Sequence, residues 1–152
     1  MTKVIKNICI QGLGYVGAAS MAAIASARNK NRKALYNVIG IDLNSKEGLK
    51  RIRAINSGKF PFKTNDKKLN KVLSSAKKEK RLLASSKTSY FSDADIIIVN
   101  VPLDIDWTSP KPKFAFDAFD KAIETIAKKV KEDALILIET TVPPGTCEKR
   151  VI

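Results

Sequence analysis

The chain has 152 residues, with 28 Lys and Arg against 15 Asp and Glu and no His, so its formal net charge is +13. Hydrophobic residues make up 44% and charged residues 28%, which excludes a disordered or collagen-like chain and suits one globular domain. The longest aliphatic run, 96–99, is too short to span a membrane, and 1–7 lacks a secretory signal, so we expect a cytoplasmic protein. Two cysteines without histidine predict neither a disulfide framework nor a metal site.

The basic residues are spread through helix-like segments, at 28–33, 63–87 and 121–131. There the lysines and arginines alternate with Ala, Leu, Ile and Ser, and no ladder of aromatic residues accompanies them. A solvated surface that attracts anionic ligands is therefore the preferred interpretation. A dedicated nucleic-acid site is the less favoured alternative.

The hydrophobic pattern predicts strands and helices in alternation. The five predicted strands are short apolar runs over 4–11, 38–41, 88–91, 96–101 and 134–138. The helices, predicted from propensity, capping residues and apolar periodicity, cover 18–27, a segment from Asn44 or Ser45 to Ser57, 69–83, 118–130 and the residues from Thr146 onward. Polar or proline-containing stretches at 28–33, 59–65 and 107–113 are predicted to be loops or helix ends.

This alternation, without repeats or a long linker, predicts one Rossmann-type α/β domain over 1–152. We expect a doubly wound parallel sheet of five strands in the order 3-2-1-4-5, with helices on both faces. The complete doubly wound fold has six strands, so the chain is interpreted as a truncated N-terminal domain. Ligands of such sheets bind beyond the carboxyl ends of the strands, which here carry 12–17, Asp42, Pro102 and 140–145.

The first of these segments has the pattern G-x-G-x-x-G, formed by Gly12, Gly14 and Gly17. After a strand and before a helix, Gly12 permits a tight turn, Gly14 admits a pyrophosphate to the backbone, and Gly17 lets the helix pack closely. The helix N-terminus then favours phosphate. The pattern predicts dinucleotide binding, and a purely structural turn is the alternative.

Asp42 ends the second predicted strand, where a carboxylate can accept hydrogen bonds from the adenosine ribose hydroxyls. The same charge repels a 2′-phosphate, so Asp42 favours NAD over NADP. The distance from Gly12, 30 positions, is longer than usual, and a surface insertion at 28–37 explains it. An aspartate that only caps the strand-to-helix turn is the alternative.

Residues 139–146, Glu-Thr-Thr-Val-Pro-Pro-Gly-Thr, follow the fifth predicted strand. Two prolines fix the backbone, and the threonine hydroxyls can hold a water or a cofactor group, although a merely rigid turn explains the pattern equally well. Cys9 lies in a buried strand and Cys147 just after the proline turn. Neither setting predicts an activated thiolate.

Together these segments resemble the N-terminal NAD-binding domain of the UDP-glucose/GDP-mannose dehydrogenase family. The resemblance rests on GLGYVG at 12–17, IGID at 39–42, INSGKFPF at 55–62, DADIIIVNVP at 93–102 and ETTVPPGT at 139–146. It implies an enzyme that oxidises the C6 alcohol of a nucleotide sugar to a carboxylate in two NAD-dependent steps. The double proline resembles the branch that acts on N-acetylated UDP-sugars.

The resemblance also implies which residues form the site. The implied cofactor contacts are Gly12, Gly14, Tyr15, Val16, Gly17, Asp42, Val101, Pro102 and Thr141. Thr141 is in addition implied to be catalytic, by helping to hold a water near the reacting carbon. Where the family usually has Val-Pro-Thr-Pro, this chain has Val-Pro followed by Leu103 and Asp104.

The family's catalytic glutamate, cysteine and lysine are implied to lie beyond residue 152, with a central helix and a nucleotide-sugar-binding domain. The fragment alone is therefore expected to be inactive, and the full-length enzyme is expected to be a homo-oligomer.

Two alternative functions stay open. One is the NAD-binding domain of a β-hydroxyacid-type dehydrogenase, which shares the glycine loop. The other is a stand-alone NAD-binding regulatory module whose basic surface binds a polyanion.

Overall fold

The computed structural model of the chain describes residues 6–108, 111 and 113–152. Predicted strand residues 4 and 5 and predicted loop residues 109, 110 and 112 lie outside the described residues. The strands and helices are, in chain order, β1 (Lys6–Gln11), α1 (Tyr15–Ser26), β2 (Tyr36–Ile41), α2 (Lys46–Asn56), α3 (Lys67–Lys78), β3 (Leu82–Ser85), β4 (Ile96–Val99), β5 (Asp104–Asp106), β6 (Lys113–Ala115), α4 (Asp117–Ala127) and β7 (Leu135–Ile138). A 3₁₀ helix covers Thr88–Asp93, and a π-helical turn covers Cys147–Val151.

Five strands form one parallel sheet in the order β3-β2-β1-β4-β7. The central strand β1 pairs on both sides, so that Ile8 lies opposite Val38 of β2 and Ile96 of β4. The predicted fold class and strand order are confirmed. Because the strands are parallel, their carboxyl ends meet at one edge of the sheet, which brings the glycine loop close to the residues after β4 and β7.

Helices cover both faces of this sheet, as predicted. One core layer joins α1, α2 and α3 to the sheet through Met21, Ile55 and Leu73, all fully buried. The opposite layer joins α4 and the 3₁₀ helix to the sheet through Phe119 and Phe91. Among the described residues, no helix combines the length and the apolar character that a membrane span requires.

The third strand differs from its prediction. Residues 88–91, predicted as a strand, lie in the 3₁₀ helix, and the strand that pairs with β2 is β3. The predicted helix over 69–83 ends early, because Lys80 adopts a left-handed conformation with φ of 56°. The Arg81 N–H then donates to the Ala76 carbonyl at 3.0 Å, which closes the end of α3. With lysine in place of glycine at this position, the sequence carries no stop signal.

The predicted loop over 107–113 is also wrong in part, because β5 and β6 form a separate antiparallel ribbon around it. Ile105 lies opposite Phe114, and every described side chain of both strands is exposed. Strands of three residues exposed on both faces lack the alternating pattern that reveals a half-buried strand. The polar stretch after α1 is a surface loop, held by the Asn29 side chain.

Ion pairs hold the amino-terminal edge of the sheet. Before β3, Arg81 pairs with Glu79 at 2.6 Å and donates to the Tyr36 carbonyl at the start of β2 at 2.8 Å. Before β4, Asp95 accepts from the Asn7 N–H and from Lys131, both at 2.7 Å. These contacts, which we call the amino-edge clasps, lie at the opposite end of the strands from the glycine loop.

Candidate cofactor site

The glycine loop connects β1 to α1 by a tight turn. Gly12 has φ of +93°, and its N–H donates to the Ile41 carbonyl at 2.8 Å. A Cβ on Gly12 would lie 2.7 Å from the Asn100 carbonyl oxygen, and one on Gly17 would lie 1.9 Å from that of Gly12. The structural roles predicted for Gly12 and Gly17, a tight turn and close helix packing, are therefore confirmed.

Gly14 differs from both, because a Cβ placed there meets nothing within 4 Å. It is the N-cap residue of α1, whose first N–H groups have no partner inside the helix. The helix dipole adds a partial positive charge at the same point. The backbone thus faces open space where a phosphate can approach closely, so the residues present fit a dinucleotide pyrophosphate.

A cleft of about 430 Å³ opens between the glycine loop and the segments that follow β4 and β7. It lies beside the point where the strand order reverses, the expected ligand position in such sheets. The cleft is lined by Gly14, Tyr15, Val16, Gly17, Asn100, Val101, Pro102, Leu103, Glu139, Thr140 and Thr141. The structure thus brings together seven predicted site residues, whereas Gly12 and Asp42 lie outside this lining.

The first turn of α1 presents apolar side chains to solvent at the cleft. Tyr15 is 53% exposed and Val16 is 60% exposed. The Tyr15 ring packs edge-on against Phe60 at 5.3 Å and also contacts Phe62 at 5.7 Å between ring centroids. The loop after α2, which carries both phenylalanines, therefore packs against the Tyr15 ring.

Asp42 follows β2 directly, and its side chain is only 6% exposed. Its Oδ1 accepts from the Leu43 N–H at 2.8 Å and from Arg51 Nη2 at 3.2 Å. Its Oδ2 accepts from Arg51 Nε at 2.6 Å. Asp42 therefore also holds the strand-to-helix turn, as the alternative interpretation expected, and much of its acceptor capacity is already used by Arg51.

Arg51 is a residue that the motif analysis missed. It lies on α2 three residues after Gly48 and four before Ile55, both buried, so it shares the sheet-facing side of the helix. An arginine on such a side requires a buried partner, and this is the signal by which Arg51 could have been found. The hydrogen bond to Asp42 raises the pKa of the Arg51 guanidinium above its usual value, so the guanidinium stays charged.

The far side of the cleft is held by a hydrogen bond that the sequence did not predict. The Thr140 hydroxyl donates to the Val101 carbonyl at 2.7 Å, which ties the segment after β7 to the segment after β4. Asn100 also donates to Glu139, at 3.3 Å. Thr141, the predicted catalytic residue, is exposed on the cleft wall formed in this way.

The two cysteines have opposite environments. Cys9 is fully buried, and its Sγ donates to the Tyr90 carbonyl at 3.4 Å. Burial, reinforced by the nearby negative charge of Asp93, raises the pKa of the Cys9 thiol to about 12. The expectation that Cys9 is a core residue is confirmed. Cys147 is exposed at the start of the π-helical turn.

A parallel doubly wound sheet, a G-x-G-x-x-G turn into a helix, and a cleft at the switch point together define a dinucleotide-binding domain. Over residues 6–152 the chain matches the NAD binding domain of the UDP-glucose/GDP-mannose dehydrogenase family. The chain belongs to this family and constitutes its NAD-binding domain. The match decides against the β-hydroxyacid-type alternative.

The relatives that the chain matches are named as dehydrogenases of nucleotide sugars. The chain is 35% identical over 155 residues to the UDP-N-acetyl-D-mannosamine dehydrogenase of Methanocaldococcus jannaschii, covering 97% of this chain and 32% of the relative. Among solved structures it resembles the NDP-N-acetyl-D-galactosaminuronic acid dehydrogenase of Methanosarcina mazei, with a TM-score of 0.80 and 27% identity, covering 97% of this chain and 30% of that one. It also resembles a UDP-D-ManNAc dehydrogenase from Pyrococcus horikoshii, with a TM-score of 0.75 and 26% identity. That match covers 95% of this chain and 30% of the other. The chain thus spans about a third of the length of these relatives.

Proposed function

We propose that the chain is the cofactor-binding part of an enzyme that oxidises the C6 alcohol of a UDP-sugar to a carboxylate. The oxidation would pass through the aldehyde: each of its two steps would transfer a hydride from C6 to one NAD with loss of protons, and the second step would take its additional oxygen atom from water. The curated relative is named for UDP-N-acetyl-D-mannosamine, which makes an N-acetylated UDP-hexosamine the proposed substrate class. The full-length enzyme is proposed to act in the cytoplasm as a homo-oligomer and to bind the sugar nucleotide through a further domain.

In this proposal the domain binds and orients the dinucleotide. Gly14 and the first turn of α1 would hold the pyrophosphate, whose charge the backbone N–H groups and the helix dipole would stabilise. Asp42, at the end of β2, would accept a hydrogen bond from a ribose hydroxyl. NAD supplies the hydride acceptor when it is bound.

The nicotinamide end of the proposed site is the wall that carries Val101, Pro102 and Thr141. The Thr140–Val101 hydrogen bond fixes this wall, so that it does not have to be ordered when the ligand arrives. The exposed hydroxyl of Thr141 is proposed to hold a water beside the reacting carbon. The hydroxyl of the neighbouring Thr140 already donates to the Val101 carbonyl.

The observation that carries the proposal is the open space in front of Gly14. Gly14→Val puts a branched side chain into that space and is expected to weaken NAD binding at least tenfold. Because a Cβ there meets no atom within 4 Å, the free energy of unfolding should change by less than about 1 kcal/mol. Calorimetric titration with NAD and urea denaturation measure the two quantities.

Gly17→Ala is the matched comparison, because its Cβ would lie 1.9 Å from the Gly12 oxygen. It should reduce stability by about 2 kcal/mol or more, as overpacked positions do. Unchanged NAD affinity in Gly14→Val would contradict the proposed position of the pyrophosphate.

The domain by itself is proposed to bind NAD and to lack turnover. Within the described residues, the fully buried thiol of Cys9 and the exposed Cys147 are the free cysteines, and neither lines the cleft. Incubation with NAD and a panel of UDP- and GDP-sugars should produce no NADH absorbance. Turnover with any of these sugars would overturn this part of the proposal.

A further inference from the structure

The Asp42–Arg51 pair changes the electrostatics that Asp42 alone implies. The sequence pattern predicts rejection of NADP, since a carboxylate repels a 2′-phosphate. In the structure both oxygens of that carboxylate are bonded to a guanidinium, with the shortest contact at 2.6 Å. The pair is neutral overall, so its repulsion of a phosphate is much smaller than that of an unpaired aspartate.

Arg51 also retains donor capacity that a phosphate can use. Its side chain is 25% exposed, against 6% for Asp42, so the guanidinium is the more accessible member of the pair. It uses Nε and Nη2 on Asp42, and among the described residues no protein acceptor bonds to Nη1. A guanidinium matches phosphate geometry and remains charged at every working pH.

The other charged side chains of α2 do not cancel the effect of Arg51 on an incoming phosphate. Glu47, one turn earlier on α2, acts on Arg51 as a second negative charge. Lys46 and Lys50 are exposed on the same helix. Without Arg51, the Asp42 carboxylate would lose its ion-pair partner, and Glu47 would add a second negative charge on α2.

On the basis of the proposed function, we propose that Arg51 sets the selectivity of this site between NAD and NADP. It weakens the discrimination that Asp42 would impose and serves as the ligand of the 2′-phosphate. The ligand class added by this inference is a dinucleotide phosphorylated on the adenosine ribose. Arg51 is thus a specificity-determining residue, and Asp42 alone does not predict the preference.

The test is calorimetric titration of the wild-type chain, Arg51→Ala and Asp42→Ala with NAD and with NADP. Arg51→Ala should lower the affinity for NADP at least tenfold and that for NAD by less than threefold, so that the preference for NAD rises. Asp42→Ala should shift the preference toward NADP. Urea denaturation of each variant verifies that it is folded at the titration temperature.

Arg53→Ala is the matched control, because it removes the same charge from the same helix. Arg53 is exposed, and within the part of the chain that the structure describes it donates no hydrogen bond to Asp42. Its NADP-to-NAD affinity ratio should equal that of the wild type. If Arg51→Ala left that ratio unchanged, or changed it no more than Arg53→Ala, the inference would be overturned. Failure of the wild type to bind NAD would instead overturn the proposed function.

Discussion

The environment of Cys9 opposes ionisation of its thiol. In the folded chain the pKa of the Cys9 thiol is raised to about 12, against an ordinary value of 9.0, because the thiol lies buried between the sheet and the 3₁₀ helix. In the unfolded chain the thiol loses its proton from pH 9 upward, while the folded chain retains it. The resulting stabilisation is complete below pH 9 and is lost as the pH rises from 9 toward 12.

A pH-dependent loss of stability follows. Between pH 8 and pH 10 the wild-type chain should lose about 1.4 kcal/mol more free energy of unfolding than Cys9→Ala loses over the same interval. Urea denaturation at the two pH values measures this difference, and Cys147→Ala should keep the wild-type pH dependence. Equal losses in the wild type and Cys9→Ala would show that the thiol does not titrate differently in the two states.

Single residues were predictable where they belong to a short motif whose spacing determines their role. Gly12 and Gly17 are demanded by the turn between β1 and α1, and the sequence pattern contains both. Arg51 was not predicted, because its partner is nine residues away and the pair forms only when α2 packs beside the end of β2. The bond of Thr140 to Val101 was not predicted for the same reason, since it joins segments 39 residues apart.

The elements of the chain were predictable where a strong apolar run or a capping residue marks them. The α2 helix begins after Ser45, one of the two predicted capping residues, and the Ser45 side chain accepts from the Gly48 N–H. The β3 strand was missed because α3 ends without a glycine: Lys80 takes the left-handed conformation that glycine adopts more readily. The short strands β5 and β6 lack a buried side, so no pattern revealed them.

Replacement of Lys80 tests this account of the end of α3. Lys80→Gly should raise the free energy of unfolding by about 0.5–1 kcal/mol, because a left-handed φ carries little steric cost for glycine. Lys71→Gly, at an exposed position in the interior of α3, should lower it by about 1 kcal/mol. Thermal and urea denaturation measure both. A loss of stability in Lys80→Gly would contradict the assignment of Lys80 as the residue that ends the helix.

On the scale of the whole molecule, the sheet has two outer edges that differ in hydrophobic exposure. The β7 strand carries Leu135 and Leu137, 52% and 38% exposed, on one side of the strand. The β3 strand carries one exposed leucine, Leu83, at 37%. An unpaired strand edge with adjacent exposed leucines favours association with another chain.

We therefore expect the isolated chain to self-associate through β7. Leu137→Lys should shift the species in solution toward monomer, because a lysine on an edge strand opposes pairing. Leu83→Lys adds the same charge at a leucine of nearly equal exposure and should have little effect. Sedimentation or light scattering over a range of concentrations measures the distribution. Equal effects of the two substitutions would rule out an association specific to β7.

The amino-edge clasps have a consequence for how this domain can change over evolutionary time. The Arg81–Glu79 and Lys131–Asp95 pairs stabilise the edge of the sheet opposite the glycine loop. Substitutions there alter how firmly the strands are held without touching a residue that faces the cleft. Sequence drift at the amino edge can therefore offset destabilising changes at the carboxyl edge, so that ligand preference can diverge while the same sheet is preserved.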